Sequence, residues 1–250
     1  MEENLIRQAV DLIKKSKYSI AFTGAGISVE SGIPPFRGEN GIWNRYDPDI
    51  LEINYFKKHP EDSWQVIKEV FYNFFWKSTP NAAHKVLAEM EAKGMLKAIV
   101  TQNIDNLHQE AGSQNVFEFH GNAHRITCLK CSFSQSISEV DFSKIPVLCP
   151  KCGGLMKPDF IFFGEGIPTD AYTGSLEAAK TCDLCIIIGS TGEVMPAAMI
   201  PFEAKRHGAS IIEVNPDKSH FTNQITDIWL KGKAGDIFTE IGKELNILPD

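Results

Sequence analysis

Short apolar runs and amphipathic stretches alternate along most of the chain. Apolar residues at helical spacing over residues 3–16 predict a helix, and the apolar run Tyr18–Phe22 predicts a strand that ends in a glycine turn. Further strands are predicted at Ala98–Thr101, Val116–Phe119, Ile161–Phe163, Leu184–Gly189, Ser210–Val214 and Ile228–Leu230. Helices are predicted at Asn81–Lys93, 170–181, 197–207 and Asp236–Leu245. This alternation predicts an α/β fold built on a parallel, doubly wound sheet.

Two stretches interrupt the alternation. The aromatic-rich stretch Phe36–Lys77 contains no convincing strand, and a cysteine-containing segment runs from about residue 123 to 155. We expect both to form a smaller second module inserted into the larger one. The predicted large domain comprises approximately residues 1–35, 80–122 and 156–250. The small domain comprises approximately 36–79, a helical module, and 123–155, and the two domains together form a single unit over 1–250.

Composition and charge exclude several classes of protein. Hydrophobic residues make up 43% and charged residues 23% of the 250 residues, which is near the globular average and far from a disordered or fibrous composition. The 25 basic and 32 acidic residues leave a net charge of −7, which disfavours direct binding of nucleic acid. No apolar run approaches the roughly 18–20 residues that cross a bilayer, and the acidic start Met1–Glu3 is unlike a secretion signal. We therefore expect a cytoplasmic protein without membrane association.

The six cysteines form three Cys-x-x-Cys pairs. Cys128/Cys131 and Cys149/Cys152 are separated by 17 residues, the spacing typical of a structural site for one zinc ion held by four thiolates. Four protein ligands leave no open position for catalysis, so this zinc is expected to stabilise the fold. The third pair, Cys182 and Cys185, leads into an apolar strand and is interpreted as core packing.

A glycine loop follows the first predicted strand. The sequence Thr23-Gly24-Ala25-Gly26-Ile27-Ser28 allows close approach of a diphosphate to backbone amides, although the complete G-x-G-x-x-G fingerprint of dehydrogenases is not met. Polar clusters at Gln102–Asp105 and Gly189–Thr191 follow two other strands, where open α/β sheets bind ligands. Asn103 and Asp105 either contact a ligand or cap the helix that follows, and the sequence leaves both readings open.

His120 ends an alternating apolar strand and precedes a glycine. This position suits an accessible imidazole that titrates near neutral pH and serves as a general base, although a lone histidine is more often structural.

Several of these motifs together resemble the sirtuin family, in its prokaryotic type with a catalytic core only. They are Gly24–Gly38, Thr101–His108, Phe119–Gly121, the four knuckle cysteines and Phe162–Glu165, in sirtuin order and spacing, and the likeness runs from about residue 5 to 245. The resemblance implies an NAD-dependent protein-lysine deacylase with a Rossmann-like large domain and a small domain of zinc ribbon and helical module.

The resemblance also implies roles for individual residues. His120 matches the general base, with Asn103 and Asp105 assisting catalysis. The positions that match NAD-binding residues are Gly24, Ala25, Gly26, Ser28, Phe36, Arg37, Gln102, Asn103, Asp105, Gly189, Ser190, Asn215 and Ala234. The acyl oxygen of acetyl-lysine would attack the ribose of NAD, nicotinamide would leave, and O-acetyl-ADP-ribose and free lysine would form.

The acyl-lysine protein or peptide is expected to bind by strand addition. Its backbone would pair with the segment that contains Ile161, Phe162, Phe163, Gly164 and Glu165, and with the loop after Ser190. That loop departs from the family pattern, with Thr191 in place of serine and Gly192 in place of leucine. Sirtuins that prefer succinyl- or malonyl-lysine carry a Tyr-x-x-Arg pair in the helical module, whereas ungapped matching puts Ile67 and Val70 there. We expect a preference for neutral acyl groups.

Other functions stay open at this point. The same cofactor chemistry would serve a deacylase for longer neutral acyl chains or a protein mono-ADP-ribosyltransferase. A nucleotide-sensing module without catalysis is favoured only by the atypical loop Ser190–Pro196, and a zinc-ribbon nucleic-acid binder is disfavoured by the charge. The sequence gives no indication of oligomeric state.

Overall fold

The computed structural model describes residues 2–36, 41–73 and 77–248. The strands are β1 (Ser19–Thr23), β2 (Ala98–Thr101), β3 (Val116–Glu118), β4 (Gly121–Cys128), β5 (Ser134–Ser136), β6 (Met156–Phe160), β7 (Leu184–Ile188), β8 (Ser210–Asn215) and β9 (Ile228–Lys231). The α-helices are α1 (Glu2–Lys15), α2 (Ile53–Lys58), α3 (Pro60–Ile67), α4 (Ala82–Ala92), α5 (Leu107–Glu110), α6 (Thr169–Thr181), α7 (Met199–Arg206) and α8 (Ala234–Leu245). The chain thus alternates between strands and helices over most of its described length.

Six strands form a parallel sheet in the order β3-β2-β1-β7-β8-β9. The predicted parallel, doubly wound α/β fold is therefore confirmed. The order reverses at β1, so β2 and β3 lie on one side of it and β7 to β9 on the other. Ligands of such sheets bind at this reversal, beyond the carboxyl ends of the strands.

Helices cover both faces of this sheet. Alternate residues of β1 and β7 point to opposite faces, as the two-residue period of a strand requires. Ala21 and Ile186 pack under α1, α4 and α8, whereas Phe22 and Ile187 pack under α6 and α7. Cys185 lies in the second core together with Cys182, and the packing role predicted for this pair is confirmed.

The remaining strands form a small antiparallel sheet in the order β5-β4-β6. The predicted strand Ile161–Phe163 is wrong, because the strand of this region is Met156–Phe160. This strand does not form an apolar run in the sequence, because it contains Lys157, Pro158 and Asp159. Pro158 is tolerated because β6 lies at the edge of this sheet, beside β4.

The aromatic-rich segment folds onto this small sheet. Helix α3 continues into a π-helical turn, Lys68–Tyr72. The packing is largely aromatic, with ring centroids 5.0 Å apart for Phe56 and Phe162 and for Phe71 and Phe160. Because Phe160 ends β6, the helical segment and the small sheet share one apolar core.

Among the residues that the structure describes, no helix has both the length and the apolar character that crossing a membrane requires.

Candidate active site

A cavity of about 1020 Å³ lies between the two sheets, beyond the carboxyl ends of β1, β2, β7 and β8. The predicted site residues that line it are Gly24, Ala25, Gly26, Phe36, Gln102, Asn103, His120, Ile161, Phe162, Phe163, Gly164, Glu165, Gly189, Ser190, Asn215 and Ala234. Ser28 and Asp105 lie behind this wall, and Arg37 lies outside the described residues. Residues from distant parts of the sequence therefore converge on one hollow.

The glycine loop packs directly against the end of β7. Gly24 donates its amide to the carbonyl of Ile188 at 3.0 Å, and Gly26 donates to that of Gly189 at 2.9 Å. A side chain on Gly26 would be impossible here, since an added Cβ would lie 2.6 Å from the Cα of Gly189. Among the described residues, the amide of Ala25 has no backbone or side-chain partner, so Ala25 is the loop residue best able to donate to a bound diphosphate.

A buried polar network supports Asn103 from behind. The hydroxyl of Ser28 donates to Oδ2 of Asp105 at 2.7 Å and accepts from Nδ2 of Asn103 at 3.1 Å. The other oxygen of Asp105 accepts from the amide of Leu107, the first residue of α5, at 3.1 Å, although the N-cap position of that helix is occupied by Asn106. Burial raises the pKa of the Asp105 carboxyl, although the hydrogen bonds from Ser28 and Leu107 act to lower it. Asp105 thus holds Ser28, Ser28 in turn holds Asn103, and Asn103 lines the cavity.

His120 follows β3 and projects into the cavity. Its Nδ1 atom lies 3.0 Å from the carbonyl oxygen of Gln102. A carbonyl only accepts, so Nδ1 carries the proton and Nε2 of the neutral ring is a free base. Burial lowers the pKa of His120, against the hydrogen bond to Gln102, which keeps the ring neutral near pH 7.

The ends of β2, β7 and β8 are joined by side chains that line the cavity. Nε2 of Gln102 donates to the hydroxyl of Ser190 at 2.9 Å, and Nδ2 of Asn215 donates to the carbonyl of Ser190 at 3.0 Å. Nδ2 of Asn215 also donates to the buried carboxylate of Glu213 at 3.0 Å. Sequence reasoning missed Glu213, because a single acid inside an apolar strand carries no motif.

The segment after β6 forms the opposite wall. The amide of Ile161 donates to the carbonyl of His120 at 2.8 Å. The amide of Phe163 donates to Leu51, and its carbonyl accepts from Ile53, at 2.9 and 3.0 Å. This part of the chain is therefore held against both His120 and the helical segment.

The helical segment contributes aromatic and aliphatic wall residues that sequence reasoning missed. Trp43, Leu51 and Phe71 line the cavity. The register that put Ile67 and Val70 beside the acyl group is not supported, because neither residue lines this cavity and Ile67 is fully buried elsewhere. The proline- and aromatic-rich composition of this segment predicts that it contributes an apolar wall. It does not predict which residues face the cavity, because that depends on how the helices pack.

The four knuckle cysteines converge at the end of the small sheet. Their sulfurs all lie within 4.8 Å of one another, with 3.6 Å between Cys128 and Cys152 and 3.7 Å between Cys131 and Cys149. Tetrahedral Zn²⁺ with bonds of about 2.3 Å holds its sulfurs about 3.8 Å apart, whereas a disulfide requires about 2.05 Å. The cluster therefore fits one structural zinc ion.

Comparisons with known proteins agree with this geometry. Residues 24–196 match the Sir2 family. The NAD-dependent protein deacylase of Thermococcus kodakarensis is 42% identical over 245 residues, which cover 95% of this chain and 94% of that protein. NAD-dependent protein deacylase 2 of Archaeoglobus fulgidus is 43% identical over an alignment of 252 positions that covers 98% of each chain. A solved structure of Sir2 with a p53 peptide and NAD+ is 34% identical, with a TM-score of 0.89 over 97% of this chain and 99% of its own.

Proposed function

The chain belongs to the Sir2 family and is an NAD-dependent protein deacylase, and we propose that it removes acetyl groups from lysine side chains of proteins. The proposed products are nicotinamide, O-acetyl-ADP-ribose and free lysine. The observation that carries the proposal is that the free Nε2 of His120 and an apolar wall occur in one cavity. NAD, when bound, supplies the nicotinamide leaving group and the ribose that accepts the acyl group.

The residues around the cavity fit such a dinucleotide. The free amide of Ala25 suits the diphosphate, and the Gln102–Ser190–Asn215 network provides polar groups for a sugar. Asn103 would hold the nicotinamide side, with Ser28 and Asp105 fixing its side chain from behind. Gly24, Gly26 and Gly189 bring the loop close to β7, and Phe36 and Ala234 line the same cavity.

His120 is the proposed general base. Nε2 would take a proton from a ribose hydroxyl, while Nδ1 keeps its hydrogen bond to the carbonyl of Gln102. That bond strengthens when the ring becomes positively charged, so it stabilises the protonated product of the step. Proton transfer to a positioned base of this kind contributes about 10²–10⁴-fold to rate.

The acyl-lysine peptide would bind along Ile161–Glu165. Free backbone groups at Gly164 support pairing by strand addition, and the buried ring of Phe162 supports a dry tunnel for the lysine side chain. A neutral acetamide is accepted in such a tunnel, whereas the carboxylate of a succinyl group would be left without a partner. Trp43, Leu51 and Phe71 add further apolar surface to this wall.

We further propose that the two units meeting at the cavity are the large and small domains with the boundaries given by the sequence analysis. Thiols stay reduced and available to zinc in the cytoplasm, where disulfides are rare, and this supports a cytoplasmic location.

The test compares kcat/KM on one peptide that carries acetyl-lysine, a longer neutral acyl-lysine or succinyl-lysine, with NAD as co-substrate. Nicotinamide and acyl-ADP-ribose are measured in the same reaction. Equal formation of both, with the highest kcat/KM for the acetyl peptide, supports the proposal. A preference for succinyl-lysine, or stable gain of ADP-ribose by the protein substrate, contradicts it.

A further inference from the structure

Lys157 is a buried lysine that the proposed mechanism does not use. It lies on β6, is 7% exposed, and does not itself line the cavity. Its immediate neighbours Met156 and Pro158 are apolar, and its Nζ atom lies 4.4 Å from the ring centroid of Phe162. Burial lowers the pKa of Lys157, and the carboxylate of Glu165 opposes that shift. A charged group in such surroundings requires partners for all of its protons.

The ammonium group of Lys157 has a partner for each of its three N–H bonds. It donates to the carbonyl oxygens of Pro158 at 2.6 Å and Phe160 at 2.8 Å. The third partner is Oε2 of Glu165 at 3.1 Å. A single side chain thus connects the end of β6 with the far end of the segment that lines the cavity.

Glu165 folds this segment into a closed turn. Its Oε2 atom accepts from the amide of Phe162 at 2.8 Å, and its own amide donates to the carbonyl of Phe162 at 3.0 Å. Gly164 occupies the turn with a φ of +86°, in the left-handed region that favours glycine. The shape of Phe162–Glu165 therefore depends on a carboxylate that Lys157 holds in position.

The turn presents exposed backbone groups toward the cavity. Phe163 is fixed on its other side by Leu51 and Ile53. Within the described residues, the amide and carbonyl of Gly164 and the carbonyl of Glu165 have no intramolecular hydrogen bond. These are the groups available for pairing with an extended peptide, and their direction is set by the turn.

We propose that Lys157 is a positioning residue for the acyl-lysine peptide. Through Glu165 it fixes the turn Phe162–Glu165, so that the free backbone groups of Gly164 are ready to pair and Phe162 is held in the tunnel wall. This inference rests on the proposed function. It predicts an effect on the peptide that does not extend to NAD, because the residues proposed to bind NAD, apart from Phe36, lie at the carboxyl ends of the large sheet's strands or in the loops that follow them.

Lys157→Met tests the proposal, because methionine replaces the aliphatic stem and removes the ammonium group. We expect the KM for the acetyl peptide to rise about tenfold or more, and the KM for NAD to change less than about twofold. The amides of Phe162 and Glu165 should exchange faster with deuterated water, while those of β1 keep their rates. Lys157→Arg should restore part of the peptide affinity, since it retains the charge and the donors.

Two further variants keep the result interpretable. Lys205→Met is the matched control, because Lys205 is bonded to Asp227 at 2.6 Å outside the cavity and its loss should leave both KM values unchanged. Removing one partner of a buried ion pair can prevent folding. Should Lys157→Met not fold, Glu165→Gln decides, because it weakens the same contact while retaining an acceptor for the amide of Phe162.

Equal increases in the two KM values, or an unchanged peptide KM in the folded variant, overturn the proposal. A comparable peptide effect of Lys205→Met also overturns it. If the unmodified enzyme acts on no acyl peptide, the proposed function fails instead. Amide exchange then still decides the role of Lys157: faster exchange at Phe162 and Glu165 supports its hold on the turn, and unchanged exchange refutes it.

Discussion

Nδ1 of His120 donates to the carbonyl oxygen of Gln102, and this one contact assigns the tautomer of the proposed general base. Burial lowers the pKa of His120 from its ordinary value of 6.5, so the neutral form persists below that pH. We predict that kcat/KM stays high at neutral pH and declines on the acid side with an apparent pKa below 6.5. His120→Ala should lower kcat by about 10²–10⁴-fold and abolish this acid limb. An acid limb retained in His120→Ala would contradict the assignment.

Glu213 should control the affinity for NAD through Asn215. Its buried carboxylate accepts from Asn215 and from three hydroxyl groups, those of Ser219, Thr222 and Thr226. Glu213→Gln replaces one acceptor oxygen by a donor, so this cluster has to rearrange. We predict a rise of about tenfold in the KM for NAD with little change in that for the peptide.

Glu203→Gln is the control for this prediction. Glu203 is also a buried acid, but it is bonded to Arg206 on α7 and does not line the cavity. Steady-state kinetics with either substrate varied measures both KM values. A peptide effect as large as the NAD effect would show that Glu213 stabilises the whole fold instead.

A pair of buried histidines should make the protein less stable in acid. The rings of His84 and His108 lie 5.0 Å apart in the core, and burial lowers the pKa of His84 from 6.5 to about 4 and that of His108 well below 6.5. The unfolded chain therefore binds protons below pH 6.5 that the folded chain does not. We predict that the free energy of unfolding falls by up to about 1.4 kcal/mol per pH unit for each histidine as the pH drops from 6.5 toward 4.

Chemical denaturation at several pH values measures this slope. His84→Gln should reduce it, whereas the same change at the exposed His220 should leave it unaltered. Equal slopes in the unmodified chain and His84→Gln would contradict the prediction.

Removal of zinc should loosen the small sheet. Cys131→Ser removes one thiolate of the four-sulfur cluster, and we predict loss of bound zinc and a melting temperature lower by several degrees. Metal content by mass spectrometry and thermal melting measure the two effects. Cys182→Ala is the control, since Cys182 lies in the core of the large sheet and its loss should leave the zinc content unchanged.

The large sheet and most of the cavity wall were predictable, because apolar runs, glycine turns and strand-end polar residues are local signals. The strand Met156–Phe160 was not, because Lys157 and Pro158 are acceptable there only through a distant carboxylate and an edge position. Asp105 was predicted among the ligand-binding residues, and the structure shows it behind Asn103. Which of two such polar residues lines the cavity and which lies behind it depends on the direction of their side chains in the fold, and the spacing of the residues along the chain does not determine that direction.

The hydrogen bond from the amide of Ile161 to the carbonyl of His120 has a mechanical consequence. It ties the imidazole's own residue to the start of the tunnel segment, and the pairing of Gly121 with Phe160 reinforces the tie one step further along. The proposed base and the start of the segment proposed to bind the peptide are therefore joined directly, at the point where the chain passes from the large sheet into the small one. A movement that separated the two segments would have to break both of these contacts.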